Sequence, residues 1–154
     1  MMTEPVPTVA PVSRFELGLE RTPRLIVRPR VLVAEGDSDI RTLLRWALRR
    51  DGCDVIESRT GDEMADYLTT SALCGDIFPP PDLILTDVDT PGTSVLDVLA
   101  QARPVLRRVP IVLLVENVLP GMEERLVGLG IKAIVGKPFD LDRVRAVVKG
   151  AIAV

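Results

Sequence analysis

Histidine is absent from all 154 residues. That removes imidazole as general base, as triad member and as metal ligand. The two cysteines, Cys53 and Cys74, stand far apart, so no zinc cluster is expected, and both are read as small buried apolar residues. Aromatic residues make up 3% of the chain, too few for a platform on which bases stack. An excess of positive charge is missing as well: the net charge is −3, which argues against electrostatic capture of nucleic acid. No apolar run approaches the ~20 residues that a membrane span needs. The N-terminus has no basic-then-apolar leader pattern. The expected location is cytoplasmic, with neither nucleic acid nor membrane insertion in its function.

What is present is an ordinary globular composition, 47% apolar and 27% charged, on a chain long enough for one full core. Proline gathers near the start, at Pro5, Pro7, Pro11, Pro23 and Pro29. Residues 1–29 are therefore expected to form a flexible tail. Two short apolar patches interrupt it, Phe15–Leu19 and Leu25–Val27, either of which could dock on a partner or fold back. Residues 30–154 are expected to form the domain.

From Arg30 the pattern becomes regular. Apolar runs occur at Val31–Ala34, Val55–Ile56, Leu83–Thr86, Ile111–Val115 and Ala133–Val135. They do not alternate with polar residues, which suits strands buried on both faces of a parallel sheet. Helical spacing lies between them. Ile40, Leu43, Leu44, Ala47 and Leu48 share one face, with Asp37 or Ser38 as cap and Gly52 as stop. Met64, Leu68 and Ala72 form a second face, Leu96, Leu99 and Ala100 a third, and Met122, Leu126 and Leu129 a fourth that ends at Gly130. Leu141, Val144, Val148 and Ile152 form the last, capped by Asp140. The loop Gly75–Pro81 ends in three prolines that should hold it extended.

Strands alternating with helices through right-handed crossovers give an α/β doubly wound parallel sheet with helices on both faces. Its binding crevice opens at the C-terminal strand ends. Attention therefore falls on Glu35 to Asp37, Asp87 to Asp89, Val115 to Asn117 and Gly136 to Pro138. Asp87 follows apolar residues directly, and Lys137 ends the fifth run. A carboxylate can attack phosphorus and a lysine can neutralise the growing phosphate charge. A divalent ion held by other acids would complete a phosphoryl-accepting site. Edge acids such as Asp37 and Asp89 are, equally, often just solvated caps and loops.

The segments VLVAEGDSDIRTLLRWAL, PDLILTDVDTPG, VPIVLLVEN and IKAIVGKPFDLDRV resemble, in order and spacing, the receiver domain of bacterial two-component response regulators. The resemblance covers roughly residues 30–153. It implies the flavodoxin-like (βα)5 fold with strand order 2-1-3-4-5. It implies that Asp87 matches the phosphoacceptor, that Lys137 matches the active-site lysine of a Lys-Pro step, and that position 89 matches the residue whose carbonyl binds magnesium.

The same resemblance exposes departures. Of the usual adjacent acids after the first strand, the first matches Glu35 but the second, normally a direct magnesium ligand, matches Gly36. Asp37 belongs to the helix cap. The switch Ser/Thr matches Val115, the small residue after it Glu116, the aromatic switch Ile134, and a loop glycine Val95. The metal set Glu35, Asp37, Asp87 and Asp89 is thus expected to be degenerate, with magnesium bound weakly or not at all. Gly36 is read as what remains once a position is released from holding a metal.

The leading expectation is a non-enzymatic pseudo-receiver, a signalling module for protein–protein interaction. Its output face would present Val118, Leu119, Ile134, Arg143 and Arg145. Since the sequence stops at Val154, direct transcription control is not expected. The alternative is a working response regulator phosphorylated on Asp87 by a histidine kinase, with Asp89 and Asn117 tuning dephosphorylation. A third reading takes DVDTPG as the DxD motif of a haloacid-dehalogenase-like phosphatase, Asp87 being nucleophile and Asp89 acid–base. A flavin-binding flavodoxin is disfavoured by the acidic loop EGDSD.

Overall fold

A computed structural model describes residues 28–152; the patches Phe15–Leu19 and Leu25–Val27 lie outside them. The described elements are β1 (Arg30–Ala34), α1 (Ser38–Arg50), β2 (Asp54–Ser58), α2 (Gly61–Leu73), β3 (Leu83–Asp87), α3 (Val95–Ala102), β4 (Ile111–Val115), α4 (Met122–Leu129), β5 (Ile131–Gly136) and α5 (Leu141–Ile152). All strand pairs are parallel, in the order β2-β1-β3-β4-β5. Pro29, assigned to the tail by its sequence, offers its carbonyl to Asp54 N–H at 2.9 Å.

The three inner strands behave as their unbroken apolar runs require. Four of the five residues of β1 and all of β3 and β4 are buried. Leu32, Ile84 and Leu113 pack toward α2, α3 and α4, while Val31, Leu85 and Leu114 pack toward α1 and α5. The edge strands do not fit the two-sided expectation. β2 is mostly half-exposed and β5 alternates, leaving Ile134 39% exposed, because each has a neighbour on one side only.

Several helical assignments shift by one position. Leu43, Ala72 and Ala100 are exposed, while Ser71, Val95 and Val98 are buried. Spacings of three and four residues both satisfy a helical face, so a sequence places the edge of that face no better than this. The cysteines split: Cys53 is buried, whereas Cys74 is exposed in the turn after α2, against expectation. Ser71 is the buried side chain without a hydrogen-bond partner among the described residues, and it lines a cavity of about 320 Å³ between α2 and α3.

One staple joins α1 to α5. Asp51 caps the C-terminus of α1 and its carboxylate accepts from Arg145 Nη2 at 2.6 Å and Nε at 2.8 Å, with Lys149 Nζ at 3.4 Å. Arg145, expected on the output face, is thus turned to α1. Its hydrogen bonds hold the Asp51 carboxyl below its ordinary 3.8, against the opposing effect of burial. A depressed carboxyl stabilises the fold above its unfolded value, and that stabilisation is lost as pH falls through the folded value. Asp51→Asn is expected to lower the urea midpoint at pH 7, with the gap to the unaltered protein closing below about pH 4. A gap that stays constant down to pH 2 would assign the loss to packing instead.

Candidate functional site

The strand register brings four C-terminal tips, those of β1, β3, β4 and β5, to one edge. Ala34 pairs with Thr86, Asp87 with Leu114, and Val115 with Gly136. The next residues are Glu35 after β1 and Lys137 after β5, and Asp87 itself ends β3. Glu35 is held by its own N–H to Ser58 O at 3.0 Å, and Lys137 by its N–H to Val115 O at 2.7 Å. The Lys137–Pro138 peptide is cis. Side chains from positions 35, 87 and 137 therefore converge without reaching.

Their chemistry is one ammonium between two carboxylates. Lys137 Nζ donates to Glu35 Oε2 at 3.0 Å and also to Asp87 Oδ2. The three side chains are 12%, 4% and 6% exposed. The second oxygens are occupied by backbone donors: Glu35 Oε1 accepts from Asp37 N at 3.1 Å, and Asp87 Oδ1 from Asp89 N at 2.8 Å. Burial pushes the Glu35 carboxyl above its ordinary value, and the Asp87 carboxylate adds to this against the hydrogen bonds from Asp37 and Lys137. Burial alone would lower Lys137, but its bonds to Asp87 and Glu35 outweigh it and hold the ammonium above its ordinary value. The trio carries two acids against one cation, and burial, more than that charge imbalance, is what raises Glu35.

The other acids do not join. Asp37 is the α1 N-cap, its Oδ1 accepting from Asp39 N at 2.9 Å and Ile40 N at 3.2 Å. Asp89 is exposed, and only its N–H turns to Asp87. Among the described residues no three acids, cysteines or histidines form a group able to hold a metal ion. Gly36 supplies no side chain here, and a Cβ built on it would stand 2.5 Å from Pro91 Cδ. Val115 is buried in the core beneath α2, α3 and α4, and Val95 is fully buried beside it; Glu116 and Ile134 are exposed.

Four supporting residues went unnoticed in the sequence. Thr90 donates its hydroxyl to Asp87 O at 2.7 Å and to Ala34 O at 3.2 Å, tying the loop after β3 to β1. Arg41 Nη1 donates to Glu35 O at 2.8 Å, and its Nε lies 3.4 Å from Glu57. Asp62 accepts from Thr93 N at 3.3 Å and from the Thr93 hydroxyl. Beside Lys137 a cleft of about 630 Å³ opens, lined by Ile40, Leu43, Glu116, Asn117, Pro138 and Phe139.

A parallel sheet of this order, with buried carboxylates and a lysine at its C-terminal edge, defines a protein of the flavodoxin-like receiver class. The family model of the response regulator receiver domain matches residues 31–149, and the chain belongs to that family. It is 23% identical over 124 residues to the sporulation initiation phosphotransferase F of Bacillus subtilis, covering 80% of this chain and 94% of that protein. To the alkaline phosphatase synthesis transcriptional regulatory protein PhoP of the same organism it is 32% identical over 125 residues, covering 80% of this chain but 48% of that protein. The chain thus spans nearly all of some curated relatives and half or less of others. Among solved structures, the chemotaxis protein CheY4 of Vibrio cholerae superposes with a TM-score of 0.68 at 19% identity, over 80% of this chain and 98% of that one. A response regulator from Thermotoga maritima gives 0.67 at 23% identity, over 83% and 100%.

Receiver domains are signalling modules, generally not enzymes, and they interact with histidine kinases or downstream effectors. They typically bind magnesium in the phosphorylation site. No described helix is long and apolar enough to cross a membrane.

Proposed function

We propose that this chain is a pseudo-receiver, a signalling module that binds a protein partner without ordinary magnesium-dependent switching on Asp87. One observation carries the reading: the Lys137 ammonium bridges Glu35 and Asp87, while Gly36 offers no carboxylate. Magnesium favours near-octahedral oxygen coordination. Here the two convergent carboxylates already share an internal cation, so the donor set does not fit that ion. The couple that would transmit phosphorylation to the surface is missing as well, since Val115 lacks a hydroxyl and Ile134 lacks a ring.

Residues 30–154 form the module in this reading, with 1–29 as a leader to it, and its place is the cytoplasm. The partner is a protein that recognises the face of α4, β5 and α5. Val118, Leu119 and Ile134 are 50%, 60% and 39% exposed there, and Val127 on α4 is 81% exposed. Exposed apolar side chains on α4, on β5 and in the segment before α4 are what such a partner would cover.

The second reading, a response regulator phosphorylated on Asp87 by a histidine kinase, draws on the same trio: a buried carboxylate at a strand tip, bonded to a lysine, is also the arrangement a phosphoryl acceptor uses. Amide NMR spectra titrated with magnesium and then beryllium fluoride separate the two. The pseudo-receiver reading expects no shifts at Glu35, Asp87 or Lys137 at millimolar magnesium, and an unchanged 115–140 region after beryllium fluoride. It also expects Asp87→Asn to leave partner binding within about twofold. Shifts spreading from Asp87 into 115–140 would establish the second reading.

A further inference from the structure

Helices α2 and α3 do not close fully on each other. Small residues, Ala65, Ala72 and Ala102, line the gap between them, with Leu68 and Val98 as further wall. The resulting cavity measures about 320 Å³. Protein interiors pack as densely as organic crystals, so a space of this size is a departure. An aliphatic cavity of about 150 Å³ takes up benzene, and this one has room for a larger body. Two lining side chains, Leu73 and Val105, are 79% and 56% exposed, so the cavity is reachable from solvent.

Among the described residues no acid or base lines this space. A charged guest would lose its water there without gaining a partner. One polar group stands out. Ser71 is 4% exposed, and its hydroxyl has no hydrogen-bond partner among the described residues. Buried polar groups are as a rule paired, because leaving one unpaired is costly. Rotation about one bond carries a serine hydroxyl between staggered positions, so a guest is met without displacing backbone. The wall itself is already fixed. Tyr67 Oη donates to Pro79 O at 2.9 Å and pins the loop that brings Pro80 to the cavity.

We propose that this cavity is a binding site for a small neutral molecule with an apolar body and one hydrogen-bonding head group, of the kind a medium-chain alcohol represents, with Ser71 as its polar anchor. Largely pre-formed apolar pockets with a few placed polar groups are the usual form of small-molecule sites. The site lies on the α2–α3 flank, and Glu35, Asp87 and Lys137 are not among its lining residues. It goes beyond the pseudo-receiver reading and does not depend on whether Asp87 accepts a phosphoryl group.

Amide NMR spectra of the full chain, titrated with octanol and separately with octanoate at neutral pH, test it. Saturating shifts are expected with octanol at residues 65–72 and 98–106, and octanoate should bind roughly tenfold more weakly. Ser71→Ala is expected to weaken octanol binding by roughly threefold to tenfold, and to raise the Tm of the unliganded protein by a few degrees, since it removes an unpaired buried hydroxyl. A serine with a merely structural role would lower Tm when replaced and leave the affinity alone. Ala102→Leu fills the cavity and should abolish the shifts. Should it fail to fold, Ala72→Phe, at an exposed lining position, reads the same block. Absence of saturable shifts, equal affinities for octanol and octanoate, or an octanol affinity unmoved by Ser71→Ala overturns the site. Shifts centred on Val118, Leu119 and Ile134 would assign octanol to that exposed apolar face and overturn it as well. None of these results bears on the pseudo-receiver reading, which the magnesium and beryllium fluoride titration decides.

Discussion

Lys137→Met is expected to lower the stability of the domain by about 3–4 kcal/mol at pH 7, because removing one partner of a buried ion pair strands the other. Here it strands two. The Glu35 and Asp87 side chains are 4% and 6% exposed and both rely on the same ammonium. Methionine keeps most of the volume of the lysine stem, so lost packing contributes little. The pH dependence identifies the cause. Glu35 already lies above its ordinary 4.5 through burial, with the Asp87 charge adding to it, and loss of the lysine removes one of the influences holding it down. A carboxyl raised in the folded state destabilises the fold while ionised, and that destabilisation fades as pH falls through the folded value. The variant should therefore regain stability as pH falls from 7 toward the ordinary carboxyl range, whereas a carboxyl depressed in the folded state gives up stability only below its unfolded value. Glu35→Gln in the same variant should restore part of the loss at pH 7. A deficit that is flat in pH and unmoved by Glu35→Gln would mean that the lysine acts as a packed stem and not as the cation of the site.

How far such a site is legible in sequence depends on whether its parts are local. Glu35, Asp87 and Lys137 each come at the end of an apolar run, and parallel pairing brings run ends to one edge, so their meeting follows from topology. The inner strands were legible for a similar reason, since burial on both faces leaves an unbroken apolar signature. The edge strands β2 and β5 were legible as the short runs Val55–Ile56 and Ala133–Val135, but their one-sided burial was not, because Asp54, Lys132 and Ile134 are exposed in elements whose position in the sheet no short window encodes. Asp37 could have turned to the crevice or to the helix; two backbone N–H donors at Asp39 and Ile40 settle it as a cap. The Gly36–Pro91 contact joins residues 55 positions apart through backbone shape alone, and nothing in either neighbourhood announces it. Gly61 did carry a signal: a glycine as first residue of a helix, directly after its Thr60 cap, goes against helix propensity.

The reason for that glycine yields the second large effect. A Cβ at position 61 would fall 1.7 Å from Thr93 O and 2.8 Å from Thr93 C, both backbone atoms. No rotamer change relieves a contact with backbone, so Gly61→Ala must displace either the start of α2 or the loop after β3. Overpacking of this kind costs about 1–3 kcal/mol and occasionally more, and a contact this short belongs at the upper end. The displacement also breaks the Gly61 N–H bond to Pro91 O and disturbs the Asp62–Thr93 pair. Urea unfolding should show a loss of about 3 kcal/mol, and hydrogen exchange at residues 88–94 should accelerate selectively. Gly128→Ala is the matching control. Its Cβ meets nothing within 4 Å, and it lies inside α4, where alanine is favoured by about 0.8–1.0 kcal/mol over glycine. That variant should therefore gain stability. A Gly61→Ala protein as stable as the original would show that the loop yields freely. Loss of stability with exchange unchanged at 88–94 would move the strain into α2. Selective loosening at 88–94 with the Lys137 amide unperturbed would show that the ammonium and its two carboxylates hold their geometry without the loop, as an internal cation should.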